Sequence, residues 1–107
     1  MRDGSNPLER NLEKQLVRRV KALGGFAPKS VWPGETGGPD RCVMMPDGWL
    51  CWVEMKRPTG GVKSKRQVYI HEVLTDLQQH VVTLWTQEDI DQFIKSCMDH
   101  QRKEVTL

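Results

Sequence analysis

The segment 37–57 combines a predicted β-hairpin with three charged side chains, and this combination constrains the fold more than any other stretch of the chain. The Pro-Asp-Gly sequence at 46–48 is typical of a tight turn between two strands. Glu54 and Lys56 are two residues apart on the second predicted strand, so their side chains point to the same face of a sheet. Asp40, at the start of the first strand, is expected at the same end of the hairpin.

Two carboxylates and a lysine at one end of a hairpin suit a hard divalent cation such as Mg²⁺, which prefers oxygen ligands. Such an ion activates water and neutralises charge on a phosphodiester. The alternative is that Asp40 caps a turn while Glu54 and Lys56 form a solvated strand face. However, Glu54 ends the apolar run 50–53, where a buried charge requires a metal or a charged partner. The joint pattern therefore favours metal-dependent phosphodiester chemistry.

Two short motifs carry a family resemblance. Gly38-Pro39-Asp40-Arg41 is followed by the hairpin and by Val53-Glu54-Met55-Lys56, with Pro33-Gly34 upstream and Gln67 downstream. This ordered set resembles the PD-(D/E)xK nuclease signature, and within that superfamily it most resembles the VRR-NUC (virus-type replication-repair nuclease) domain. The resemblance extends over residues 7 to 95 and implies a restriction-endonuclease-like α/β core.

The resemblance also implies roles for the residues of the hairpin. Asp40 and Glu54 would bind Mg²⁺ or Mn²⁺, and the main-chain carbonyl of Met55 would be a further oxygen ligand. Lys56 would orient or activate the attacking water and stabilise the transition state. Water attacks directly in this class, so no cysteine, serine or histidine nucleophile is required.

Residues outside the hairpin complete the expected site. In the resembled family a glutamate of the first helix completes the acidic cluster. Glu9 matches its usual place, and Glu13 is the second candidate. For each of them, a surface ion pair is an equal alternative. Gln67 would help to position water or phosphate from the first turn of its helix. His71 is within reach of the cleft, although a packed or surface histidine is the simpler interpretation.

Basic residues cluster just after the second strand of the hairpin. The net charge of +2 permits nucleic-acid binding but does not demonstrate it. We expect the clustered cations to meet the phosphates of flanking DNA. Lys29, on an earlier predicted strand, is added through the family resemblance, with a solvated lysine as the alternative. The predicted DNA-binding set is Lys29, Arg57, Lys63, Lys65 and Arg66.

The predicted elements follow the order helix, three strands, helix, strand, helix (αβββαβα). Helical spacing of apolar residues begins near Pro7, and the segment 26–32 is expected to be a first strand, interrupted by Pro28. A helix between the third and fourth strands implies a parallel crossover after an antiparallel hairpin. We therefore predict one domain over 1–107 with a mixed sheet of about four strands flanked by helices, and flexible ends at 1–6 and 99–107.

Cellular context and assembly are predicted from weaker signals. Three cysteines without a Cys-x-x-Cys spacing argue against a disulfide scaffold and a structural zinc site. No apolar run approaches membrane-spanning length. We therefore expect a cytoplasmic protein, either bacterial or from a phage acting in its host. Stand-alone members of the resembled family act on branched DNA, and paired cuts in a four-way junction require the symmetry of a homodimer.

The leading hypothesis is a Mg²⁺- or Mn²⁺-dependent DNA endonuclease that is selective for branched DNA, in the manner of a Holliday-junction resolvase acting in DNA repair or replication. A second hypothesis is a non-catalytic nucleic-acid-binding module on a nuclease fold. An assembly domain with a solvated charged face and a ribonuclease using the same site are further alternatives. The sequence does not distinguish DNA from RNA.

Overall fold

The computed structural model describes residues 7–57 and 60–105, which form three helices and three strands. Of the two predicted flexible ends, 1–6 and 106–107 lie outside the described residues, whereas 99–105 is the last part of a helix. The elements in chain order are α1 (Pro7–Ala22), β1 (Arg41–Met44), β2 (Leu50–Met55), α2 (Lys65–Asp76), β3 (His80–Leu84) and α3 (Gln87–Val105). Neither α1, α2 nor α3 has the length and apolar character needed to cross a membrane.

The three strands form a mixed sheet in the order β1-β2-β3. β1 and β2 are the arms of the predicted antiparallel hairpin, with Arg41 opposite Val53. β2 and β3 are parallel, with Glu54 opposite Thr83, and α2 makes the crossover between them. This sheet with its flanking helices confirms the predicted α/β fold class with a restriction-endonuclease-like core.

The predicted strand count of about four is wrong, because the segment 26–32 does not form a strand. It lies beside β1 through two isolated antiparallel bridges, Phe26 with Met44 and Lys29 with Arg41. Pro28 sits between these bridges and has no N–H to donate, so a regular ladder cannot continue through it. The segment is therefore an interrupted edge that flanks the sheet.

The hydrophobic core lies between one face of the sheet and the helices α1 and α3. Cys51, Val53 and Met55 alternate along β2 and are all buried in this core. The opposite face of β2 carries Trp52 and Glu54, and α2 covers Glu54 there. The buried residues that α1 and α3 contribute are Leu12, Leu16, Val20, Ile90, Phe93, Ile94 and Cys97.

Helix α2 is shorter and less deeply packed than its sequence pattern indicates. The pattern predicts a helix to Gln79, but α2 ends at Asp76, and Gln78 adopts a left-handed backbone conformation with φ of 63°. Ile70, His71 and Leu74 are buried, whereas Leu77 is 65% exposed. The buried stripe is therefore narrow, and it points His71 and the first turn of α2 toward Glu54.

Candidate active site

Asp40 precedes β1, and its carboxylate is fixed to the neighbouring strand. Its Oδ2 accepts a hydrogen bond of 2.7 Å from the main-chain N–H of Met55. This bond joins the start of β1 to the end of β2, so Asp40 lies beside Glu54. The predicted meeting of the two carboxylates at one end of the hairpin is thus present in the structure.

Glu54 is the most unusual side chain of the sheet, because it is ionisable and yet only 1% exposed to solvent. Its Oε2 accepts a hydrogen bond of 2.8 Å from Gln67 Nε2, and Lys56 Nζ lies 3.6 Å from the same oxygen. Its Oε1 is buried and has no hydrogen-bond partner among the described residues. One half of this buried carboxylate is therefore satisfied and the other half is not.

The pKa of Glu54 is raised to about 8. Burial is the largest cause, the nearby charge of Asp40 is the second, and the opposing effect of Lys56 is smaller than either. Two carboxyl groups side by side in a buried site require either a shared proton or a cation. The pair is thus poised to exchange a proton for a positive ion.

Gln67 connects Lys56 to Glu54 through the two ends of its amide. Its Oε1 accepts hydrogen bonds from Lys56 Nζ at 2.8 Å and from the main-chain N–H of Ser64 at 2.9 Å. Ser64 in turn caps α2 through its hydroxyl, which completes a capping box. Because both donors hold Oε1, the amide nitrogen of Gln67 must point toward Glu54.

The two candidate glutamates of α1 have different surroundings. Glu13 Oε2 accepts a hydrogen bond of 2.9 Å from Arg41 Nε, and Arg41 also donates to the carbonyl of Ala27. Glu13 therefore ties α1 to β1. By contrast, burial and then the charge of Asp40 raise the pKa of Glu9, and Lys56 lowers it. Glu9 is thus within electrostatic reach of the carboxylate pair and of the lysine.

The predicted DNA-binding residues do not form one free surface. Lys29 and Lys65 are exposed. Arg66 forms an ion pair of 2.7 Å with Glu35 and donates to the carbonyl of Thr36, which fastens the loop before Asp40 to the first turn of α2. Glu35 and Arg66 are 31 positions apart, so local sequence patterns do not predict this ion pair. Arg57 donates to the carbonyl of Gly60, and Lys63 approaches His71.

His71 belongs to the site although the sequence favoured an ordinary packed or surface role. It is buried, and its Nε2 lies 3.9 Å from Glu54 Oε1. Burial and then the charges of Lys63 and Lys56 lower the pKa of His71, which favours the neutral ring. The available signal was its position four residues after Gln67, which places both side chains on one face of α2.

A divalent cation fits Asp40 and Glu54 on chemical grounds. Asp40 is fixed beside the end of β2, its charge helps to raise the pKa of Glu54, and one oxygen of Glu54 has no hydrogen-bond partner among the described residues. Oxygen donors of this kind suit Mg²⁺ or Mn²⁺. Within residues 7–57 and 60–105, no cluster of three or more His, Cys, Asp or Glu side chains is arranged to hold a metal ion. The fit therefore rests on the two carboxylates and on main-chain oxygen.

The raised pKa of Glu54 predicts an unusual pH dependence of stability in the presence of a chelator. Between about pH 4.3, the pKa of an unperturbed glutamate, and about pH 8, the unfolded chain has released this proton and the folded chain retains it. The free energy of unfolding should therefore fall with rising pH by on the order of 2 to 5 kcal/mol and level off above pH 8. Urea unfolding at pH 5 and pH 8 measures this fall.

Glu54→Gln is the matched control for this prediction, since glutamine resembles the protonated carboxyl group. The variant should lose the part of the pH dependence that belongs to Glu54, and at pH 8 it should be more stable than the wild type. An equal pH slope in both proteins would show that burial of Glu54 does not control stability.

Comparisons with known proteins agree with this architecture. The chain superposes on a solved structure described as a VRR_NUC domain with a TM-score of 0.78, and the match covers 84% of this chain and 97% of the other at 27% identity. It is also 40% identical over 80 residues to a protein of Acyrthosiphon pisum secondary endosymbiont phage 1 named "Putative nuclease p44". That match covers 75% of this chain and 85% of the phage protein. No protein-family profile matches the chain.

Proposed function

Since this chain belongs to the VRR-NUC family of nucleases, we propose that it is a Mg²⁺- or Mn²⁺-dependent endonuclease that hydrolyses phosphodiester bonds in DNA. The observation that carries this proposal is the buried Glu54 carboxyl group, with Asp40 fixed to the N–H of the next residue, Met55, and Lys56 Nζ 3.6 Å away. Two adjacent carboxylates without a cation destabilise the folded state of a small protein. A divalent ion bound between them would remove this repulsion.

The residues of the hairpin divide the work of binding and chemistry. Asp40 and Glu54 would hold the ion, with the main-chain carbonyl of Met55 as a further oxygen ligand. A bound divalent ion supplies an activated water and neutralises charge on the scissile phosphate. The N–H of Met55 fixes Asp40, so this carboxylate is positioned before any ligand arrives.

Lys56 and Gln67 act on the attacking water and the phosphate. The Lys56 ammonium is half-buried and held by Gln67 Oε1, so it presents a localised positive charge to the group that reacts. It orients the water and meets the charge that develops on the phosphate oxygens. Gln67 holds the side chains of Lys56 and Glu54 at fixed positions relative to each other. Glu9 would extend the acidic cluster toward a second ion or an ion-bound water.

The proposed substrate is DNA. We propose that the protein is a homodimer and that it acts on branched DNA. We expect Lys29, Lys63 and Lys65 to meet the phosphates of the flanking backbone. Arg66, on α2, is already paired with Glu35. Two symmetric cuts in a four-way junction require two copies of the site related by a two-fold axis. Trp49 packs against Phe93 and two histidines of its own chain, so its ring is not the surface on which a dimer would be built.

Cleavage of labelled substrates tests this proposal. A four-way junction, a linear duplex, a single strand and matched RNA are each incubated with Mg²⁺, Mn²⁺ or EDTA. We expect cleavage that requires the ion, paired nicks in the junction, and little cleavage of RNA. Cleavage of all DNA forms alike would retain the nuclease and exclude selectivity for branches. Binding that is insensitive to the ion, without cleavage, would instead indicate a non-catalytic binding module.

Glu9→Gln and Glu13→Gln should separate the two candidate glutamates. Glu9→Gln is expected to lower cleavage by about tenfold with little change in stability, because Glu9 lies within the field of Asp40 and Lys56. Glu13→Gln is expected to retain cleavage and to lower the free energy of unfolding by about 1 kcal/mol through loss of the Arg41 ion pair. Cleavage rates and urea unfolding of both variants measure the difference. The opposite assignment of effects would place Glu13 in the site.

A further inference from the structure

Two buried polar atoms face each other beside the carboxylate pair, and neither has a hydrogen-bond partner within the part of the chain that the structure describes. They are Glu54 Oε1 and His71 Nε2, which lie 3.9 Å apart. A buried polar atom without a partner costs about 1 to 3 kcal/mol, so such atoms are uncommon in native proteins. The occurrence of an acceptor and a ring nitrogen side by side in the site requires a reason.

Lys63 determines which ring nitrogen of His71 carries a proton. Its Nζ lies 3.5 Å from His71 Nδ1. An ammonium group has donors and no acceptor, so Nδ1 must offer its lone pair, and in a neutral imidazole the hydrogen then resides on Nε2. The group that faces Glu54 Oε1 is therefore an N–H donor. In this tautomer His71 Nε2 carries a hydrogen and has no lone pair to offer a metal ion.

We propose that His71 is a positioning residue of this nuclease site, whose Nε2–H holds Glu54 Oε1 in the orientation that binds the divalent ion. The proposal rests on the proposed function. The 3.9 Å separation is longer than a hydrogen bond, so the proposal requires the two side chains to move closer together when the ion binds. A carboxylate oxygen has two lone pairs, so Oε1 can accept this bond and still bind an ion.

His71 and Gln67 together would fix both oxygens of Glu54 from one helix. Gln67 donates to Oε2, and His71, one helical turn later, faces Oε1. Carboxylates that bind metal ions are themselves commonly held by hydrogen bonds, and loss of such a bond typically lowers metal affinity by about 10- to 100-fold. Two residues spaced four apart on α2 would thus orient one carboxylate, that of Glu54.

Ion binding by the full chain without DNA tests the role of His71. Mn²⁺ titrations by calorimetry compare the wild type with His71→Phe, which keeps a ring and removes the donor, and with His71→Gln, which restores an N–H near the same place. We expect Mn²⁺ affinity to fall by about tenfold or more in His71→Phe and to recover to within about threefold of the wild type in His71→Gln. His80→Gln is the matched control, since His80 is exposed and contacts Trp49.

Each outcome of these titrations decides for or against the proposal. Wild-type binding with unchanged affinity in His71→Phe would overturn the role of His71 and leave the proposed nuclease intact. Wild-type protein that binds no divalent ion would overturn both.

A second measurement does not depend on folding of the variants. Long-range ¹H–¹⁵N correlation spectra of the wild type report the tautomer of each histidine ring. We expect His71 to carry its proton on Nε2, and a ring protonated on Nδ1 would overturn the proposal.

Discussion

Asp40→Asn is expected to lower DNA cleavage by about a hundredfold or more while the protein remains folded. Lewis-acid stabilisation by a bound ion contributes several kcal/mol, and about 1.4 kcal/mol corresponds to a tenfold change in rate. Asparagine retains an oxygen that can accept the hydrogen bond from Met55 N–H. It also removes the charge that raises the pKa of Glu54. The variant should therefore be at least as stable as the wild type above neutral pH.

The matched control for this variant is Asp40→Ala. Alanine removes both the charge and the acceptor, so Met55 N–H loses its partner and the free energy of unfolding should fall by about 1 to 3 kcal/mol. Initial rates of cleavage and urea unfolding of both variants separate loss of an ion ligand from loss of structure. Cleavage by Asp40→Asn at the wild-type rate would remove Asp40 from the ion site.

The hairpin and its charges could be predicted because short-range rules determine them. The turn at 46–48, the alternation of Cys51, Val53 and Met55, and the two-residue spacing of Glu54 and Lys56 are local features of the sequence. The cap at Ser64 is of the same kind. Together these rules bring the acidic pair and the lysine to one end of the sheet.

The ion pairs around the site and the missing strand depend on contacts between residues far apart in the chain. Local sequence patterns do not predict such contacts. Arg41 engages Glu13 across 28 positions, and this pairing distinguishes Glu13 from Glu9. Arg66 engages Glu35 across 31 positions and so is not simply a free cation for phosphate. The segment 26–32 contains strand-forming residues, yet the isolated bridges around Pro28 leave it short of a strand.

The buried Glu54 shows why function and stability oppose each other in this fold. Its position opposite Thr83 lies within the pairing of β2 and β3, where an apolar residue would pack without any penalty for burial of charge. The fold instead retains a carboxylate whose pKa is raised to about 8. Ion binding would convert this penalty into affinity, because an ion that binds only the folded chain stabilises it by mass action.

Lys56→Met is expected to reduce cleavage by at least about a hundredfold, since a positioned charge that meets the transition state is worth about 3 to 4 kcal/mol in comparable sites. Methionine has a similar reach and removes the ammonium that Gln67 Oε1 holds at 2.8 Å. The change also removes the cation that lowers the pKa of Glu54, so the pKa of this carboxyl group should rise above its present value of about 8. The activity that remains should therefore require a higher pH or more Mn²⁺ than the wild type needs.

The control for Lys56→Met is Lys95→Met, which changes an exposed lysine of α3 outside the site and should leave cleavage unchanged. Single-turnover rates at saturating Mn²⁺, measured from pH 6 to 9, distinguish two contributions of Lys56. A loss that is equal at every pH indicates that the ammonium acts on the water or phosphate. If more Mn²⁺ and a higher pH largely restore the cleavage rate, the ammonium acts through Glu54. Wild-type rates throughout would exclude Lys56 from the chemistry, and the buried carboxylate pair would then require another cationic partner.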